Sequence, residues 1–168
     1  KMVVEVLKDK DNKVPYPLYT RPMWLDSFKK HHFLSVPDLP YVGKDRMDDP
    51  FHWGTGQFAA LVGMSFKPKA IFLVGMDLYG LGEEKKPSNV NNIYKGSKGY
   101  TYIKRPVDPS YWIYQFNKLF EHSECRWIIV NEEGWKIPDE WKVHKNVFQD
   151  TYQGLAKWIN KQLTKNDD

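Results

Sequence analysis

The chain has 168 residues, of which 41% are hydrophobic and 15% aromatic, and its formal net charge is +4. This composition is too apolar for a disordered chain and predicts a folded domain with a core. No apolar run approaches the roughly 20 residues of a membrane-spanning helix, and a single cysteine, Cys125, excludes an internal disulfide and a cysteine-rich zinc site. We expect one domain over 1–168, whether whole or cut from a longer enzyme, with the cytoplasm as its default location.

The first fifty residues offer little regular structure. Val3–Leu7 alternates enough to predict a strand. The prolines between 14 and 50 leave room only for a short helix near Trp24–Lys30. His31 and His32 follow it, and adjacent side chains point apart in a helix or strand, so they form a poor metal pair. We expect no metal site.

The stretch from 51 to 79 is the most informative part of the chain. A helix is predicted from about Gln57 to Phe66, and Ala70–Val74 is a continuous apolar run, typical of a parallel strand covered on both faces. Asp77 follows at the carboxyl end of that strand, where open α/β sheets place their ligands. The helix is preceded by three residues that can cap free N–H groups or let a ligand approach the backbone, namely Gly54, Thr55 and Gly56. The sequence therefore predicts one cleft for an anionic ligand.

The candidate residues also have purely structural interpretations. Thr55 can be a helix N-cap with no ligand contact. Asp77 can fix its loop by accepting hydrogen bonds from backbone N–H groups. Tyr79 can pack in the core or the loop. His52 can contact a phosphate or make a structural hydrogen bond.

The middle of the chain is predicted to form a loop followed by a helix. Glu83–Gly99 is polar and glycine-rich, which is typical of a mobile loop beside a cleft. Tyrosines and basic residues interleave from 94 to 105, a pattern that suits nucleic acid. No nucleic-acid motif accompanies it, so we favour a solvated surface there. Asp108 is interpreted as the N-cap of an amphipathic helix over Pro109–His122.

The last part of the chain completes an alternating α/β pattern. Strands are predicted at Trp127–Val130 and Asn146–Gln149, and Thr151–Leu163 is predicted to be a closing helix. Its inward face would carry Leu155, Trp158, Ile159 and Leu163. Three or four parallel strands flanked by helices define an α/β fold, a three-layer Rossmann-like domain with a small, mainly parallel sheet.

The turn Gly54-Thr55-Gly56 and the strand exit Gly75-Met76-Asp77-Leu78-Tyr79 resemble a motif pair of a known family. They are similar to those of the bacterial sialyltransferases that use CMP-sialic acid and of the related motility-associated glycosyltransferase-like domains. The resemblance covers roughly 51–135. It implies that these loops hold the nucleotide and the sugar, with Tyr79 near the charged region of the sugar.

The chain departs from that family at two places. It contains no Gly-Asn-Gly-Pro-Ser phosphate loop, and the segment Tyr102–Pro106 lacks the histidine that serves the family as catalytic residue. The candidates for a catalytic group are Tyr79, Tyr102, Arg105 and His52. Arg105 can clamp a phosphate but stays protonated, so it is a poor general base.

Two functions follow from these observations. The first is a sialyltransferase-like enzyme that takes a CMP-type nucleotide sugar as donor and a glycan as acceptor. The second is a non-catalytic binding module on the same fold, for a nucleotide or a nucleic acid. Neither needs a cofactor, and we expect no membrane span.

Overall fold

The computed structural model describes residues 17–31, 33–78 and 108–164. The chain divides into two compact units, Lys1–Asp38 and Leu39–Asp168, and each is described by itself. The strand predicted at Val3–Leu7 and the loop predicted at 83–99 lie outside the described residues. The single domain predicted over 1–168 stays a prediction.

The first unit contains a small parallel sheet. Strand β1 (Tyr19–Thr20) pairs with β2 (Leu34–Ser35). Two 3-10 segments, Pro22–Trp24 and Asp26–His31, connect them. The short helix predicted near Trp24–Lys30 is therefore 3-10 rather than α-helical, and a kink at Phe28 (φ −114°, ψ 19°) interrupts it.

The second unit alternates helices with three parallel strands. The helices are α1 (Thr55–Ser65), α2 (Ser110–Glu121), α3 (Asp139–Lys142) and α4 (Tyr152–Leu163). The strands are β3 (Ala70–Val74), β4 (Arg126–Asn131) and β5 (Val147–Thr151), in the order β3-β4-β5. All pairs are parallel. The predicted α/β class, helices and strands of this unit are confirmed, with boundaries shifted by one or two residues.

Helices cover both faces of this sheet. The ring of Trp127 on β4 lies 5.2 Å from that of Phe120 on α2. Phe72 of β3 is in register with Ile128, so it points to the opposite face. Its ring centroid lies 4.9 Å from that of Trp158 on α4. Helix, sheet and helix therefore form three layers.

The core is centred on β4 and α2. Its fully buried side chains include Phe116, Leu119, Phe120, Trp127, Ile129 and Trp141. Only β4 has a strand on each side, so it is the most deeply buried strand of the described sheet. Within the described ranges, no helix combines the length and the apolarity needed to cross a membrane.

Two burial predictions are wrong. Strand β3 is not covered on both faces along its length, because Val74 at its end is 48% exposed. Leu155, Trp158, Ile159 and Leu163 of α4 were expected to face inward, and Trp158 does pack on Phe72 of the sheet, but no residue of this helix is buried. The apolar spacing of α4 correctly marks one face of a helix, but a three-stranded sheet with two edge strands covers that face only partly.

Candidate functional site

A cavity of about 310 Å³ lies where α1 begins, β3 ends and α2 passes by. Its lining includes four residues singled out from the sequence, together with two that were not: Gly54, Thr55, Gly56, Asp77, Gln57 and Trp112. The fold thus brings the predicted glycine turn and the predicted strand exit together in one cavity.

The N-terminus of α1 opens into this cavity without a side-chain cap. Thr55 is the first helical residue, and the N-cap is Gly54, which has an extended backbone and no side chain to cap with. The predicted capping role of Thr55 is wrong because the N–H of Phe58 donates to the carbonyl of Gly54 (3.1 Å), which starts the helix earlier. The N–H groups of the first turn have no acceptor within the helix, and the residues that carry them line the cavity.

Both glycines of the turn are confined by their neighbours. A Cβ atom on Gly54 would collide with Oε1 of Gln57 and lie 3.4 Å from Nε1 of Trp112. A Cβ atom on Gly56 would lie 3.2 Å from Cε of Met76. A ligand can therefore approach the backbone here only because side chains are missing at these positions.

The loop that follows β3 has an unusual backbone. Gly75 (φ 75°) and Leu78 (φ 52°) both lie in the left-handed region. Glycine adopts that conformation readily, but a bulky residue such as leucine does so at a cost of the order of 1 kcal/mol or more. Leu78 is buried nonetheless. The packing of the loop therefore maintains a strained conformation directly beside Asp77.

Two side chains outside the loop hold it in place. Nδ2 of Asn131, at the end of β4, donates to the carbonyl of Met76 (3.3 Å). Nε1 of Trp135 donates to the carbonyl of Asp77 (3.0 Å). Both side chains are buried. Sequence reasoning missed these positioning residues, although a polar residue at the end of a buried strand such as Asn131 is a signal that could have been used.

Two polar groups of the cavity wall form no hydrogen bond with a side chain or backbone of the described residues. Gln57 is only 4% exposed, yet its side-chain amide forms no hydrogen bond with any residue of the described ranges. The indole N–H of Trp112 likewise has no acceptor among those residues. Buried polar groups are usually satisfied by protein, water or ligand. Both groups line the cavity, so a bound molecule can satisfy them.

The edge of the sheet beside the cavity is acidic. Burial, reinforced by the nearby carboxylates of Asp77 and Glu132, raises the pKa of the Tyr152 hydroxyl. No lysine or arginine is present in the described lining of the cavity. Positive potential there comes from the N-terminus of α1, whereas Asp77 is an acceptor for hydroxyl groups.

The other candidates lie elsewhere or outside the described residues. Nε2 of His52 accepts a hydrogen bond from Nε of Arg46 (3.2 Å), and His52 is not part of the cavity lining. Asp108 accepts the N–H of Ser110 (2.9 Å), which satisfies one free group of α2, but the N-cap itself is Pro109. The candidates His32, Tyr79, Tyr102 and Arg105 lie outside the described residues.

A buried carboxylate fixes the chain segment that precedes α1. Asp48 accepts hydrogen bonds from the hydroxyl of Tyr41 (2.9 Å) and from the backbone N–H groups of Lys44 and Asp45 (3.0 Å each). The hydroxyl of Tyr114 on α2 also donates to it (3.3 Å). Burial alone would raise the pKa of Asp48, but these hydrogen bonds outweigh burial and lower it. Sequence reasoning did not single out this cluster.

No protein-family model, curated protein or solved structure matches the chain. The resemblance to sialyltransferases therefore stays a prediction. Among the described residues, no group of three or more His, Cys, Asp or Glu side chains is placed to hold a metal ion.

Proposed function

We propose that this domain binds a nucleotide or nucleotide sugar of the CMP type in the cavity between α1, α2 and the exit loop of β3. The observation that carries the proposal is the N-terminus of α1, which has no side-chain cap and opens into the cavity beside the side chain of Gln57. A ligand that hydrogen-bonds to the amide of Gln57 gains about 0.5–1.5 kcal/mol from that contact.

Each polar element of the cavity suits one part of such a ligand. The free N–H groups at the N-terminus of α1 can donate hydrogen bonds to a phosphate. The indole of Trp112 offers a flat apolar face for a base and a donor at Nε1. The carboxylate of Asp77 accepts hydrogen bonds from ribose or sugar hydroxyls. A volume of about 310 Å³ lies at the lower end of small-molecule sites, which suits a mononucleotide.

Binding is better supported than transfer. Asp77 is the only titratable side chain among the described lining residues, and His52 is engaged with Arg46. A positioned general base is typically worth about 10²–10⁴-fold in rate. We therefore favour the binding module over the glycosyltransferase for this chain.

A thermal-shift titration tests which part of the ligand is recognised. CMP should raise the melting temperature more than cytidine does, because only CMP places a phosphate at the N-terminus of α1. At a hundred times its dissociation constant, a ligand adds about 2.7 kcal/mol to stability. Gly56→Leu should abolish the shift, since its side chain fills the space beside Met76. An equal response to CMP in Gly56→Leu would place the ligand elsewhere.

A further inference from the structure

A second and larger groove lies at the opposite edge of the three-stranded sheet. Its volume is about 1000 Å³, roughly three times that of the cavity at α1. It lies where β3 and β4 begin, whereas the cavity lies where β3 ends. The lining residues that matter for binding are Lys67, Lys69, Arg126 and Trp158.

The described lining of the groove carries an excess of positive charge. Lys67, Lys69 and Arg126 form no ion pair with any residue of the described ranges, and the described lining has one carboxylate, that of Glu124. A groove lined by one sign of charge attracts the other. Its charge is therefore complementary to an anionic ligand.

The backbone at Lys67 is strained, and that strain places a cation in the groove. Lys67 has φ 50° and follows the C-cap of α1, with its N–H donating to the carbonyl of Met64 (2.9 Å). Glycine is the usual residue at this position, because a side chain is disfavoured in the left-handed region. A lysine here stores strain, and strained residues cluster at ligand sites.

Exposed aromatic rings accompany these cations. Trp158 in the groove is 48% exposed, and Phe66 precedes Lys67 with 69% of its side chain exposed. Phe148 is also exposed, and the guanidinium carbon of Arg126 lies 6.0 Å from its ring centroid. Exposed rings alternating with cations are the arrangement by which proteins bind single-stranded nucleic acid, through stacking and phosphate contacts.

We propose that this groove binds single-stranded nucleic acid, with Lys67, Lys69 and Arg126 against the phosphodiester backbone and a base stacked on Trp158. This site is separate from the nucleotide cavity, so each can fail without the other. Saturating CMP should leave nucleic-acid binding unchanged.

Fluorescence anisotropy with a labelled fifteen-residue oligothymidylate tests the proposal. The logarithm of the binding constant Kobs should fall linearly with the logarithm of the salt concentration. The expected slope is about −2, because each of three phosphate contacts on a single strand contributes about −0.7. Lys69→Gln should reduce the magnitude of that slope by about 0.7. The matched control is Lys142→Gln, which removes an exposed lysine of α3 that pairs with Asp139 (2.7 Å); it should leave the slope unchanged.

Two further variants test the stacked ring and the strained backbone separately, each measured where the variant is still folded. Trp158→Ala should weaken binding by about 5- to 150-fold, because one stacked base is worth about 1–3 kcal/mol. Lys67→Gly should weaken binding while raising the melting temperature, since glycine relieves the strain. No binding to oligothymidylate at low salt, or equal effects of Lys69→Gln and Lys142→Gln, would overturn the proposal. Equal affinity for a duplex of the same length would also overturn it.

Discussion

Two buried glutamines illustrate how the surroundings of a residue separate structural from functional roles. Gln115 on α2 donates from Nε2 to the carbonyls of Met47 (3.0 Å) and His52 (3.3 Å). Gln57 on α1 is buried to a similar degree but has no side-chain partner among the described residues. The Nε2 atom of Gln115 therefore stabilises the fold, although its Oε1 is buried without a partner among the described residues, whereas the amide of Gln57 is available to a ligand.

Replacing each glutamine by methionine, which has a similar shape, should separate these roles. Gln115→Met should lower the free energy of unfolding by about 2 kcal/mol, because two hydrogen bonds of about 1 kcal/mol each are lost. Gln57→Met should leave it unchanged within about 0.5 kcal/mol or raise it. Urea denaturation measures both. Equal destabilisation by the two changes would mean that Gln57 is structural.

Asp48 should make the stability of the protein depend on acidic pH. The pKa of Asp48 is lowered in the folded state. Its contribution to the free energy of unfolding is therefore fully present above the unfolded-state pKa of about 3.9 and is lost as the pH falls through the folded-state pKa. Asp48→Asn should cost about 2–3 kcal/mol at pH 7, since several hydrogen bonds to a charged group are weakened. The difference in the free energy of unfolding between Asp48→Asn and the wild type should decrease as the pH falls to 2. The exposed control Asp139→Asn should change stability by less than about 0.5 kcal/mol.

At the scale of elements, local sequence predicts type and order better than it predicts burial or backbone strain. Helix α1 and strand β3 were predictable because apolar periodicity and the glycine turn are local signals. The left-handed backbone of Leu78 and its support by Trp135 were not, because they depend on residues distant in sequence. The exposure of α4 was missed for the same reason: periodicity marks an apolar face, but not what covers it.

The exit loop of β3 should loosen when its support from Trp135 is weakened. Trp135→Phe keeps a ring but removes the donor to the carbonyl of Asp77, so amide hydrogen exchange at residues 75–78 should accelerate about tenfold, equivalent to one hydrogen bond. Trp141→Phe is the matched control, since it removes the buried donor to the carbonyl of Ile113 (2.9 Å). Similar exchange at 75–78 in both variants would show that Trp135 does not hold the loop.

At the scale of the molecule, the two edges of the sheet have opposite characters. The edge where β3 ends carries Asp77 and Glu132, whereas the edge where it begins carries Lys67, Lys69 and Arg126. The sequence predicted the first edge because parallel strands place ligands there. It did not predict the second, because the basic residues are scattered along the chain and only the fold assembles them.

The chain should show little or no glycosyl transfer from CMP-sialic acid to a lactose-type acceptor. The described part of the cavity offers no general base apart from Asp77, and His52 is held by Arg46. Product analysis by mass spectrometry measures this directly, with His52→Ala as the comparison. Robust turnover that disappears in His52→Ala would establish a transferase and assign its base to His52.

Calorimetric titration of CMP into the wild type and into Gln57→Met tests the central claim most directly. We expect saturable binding at one site in the wild type and at least tenfold weaker binding in Gln57→Met, because a hydrogen bond of about 1.4 kcal/mol is worth a factor of ten. Gln115→Met, measured where it is still folded, should bind like the wild type. No CMP binding by the wild type, or undiminished binding by Gln57→Met, would contradict the proposed nucleotide site.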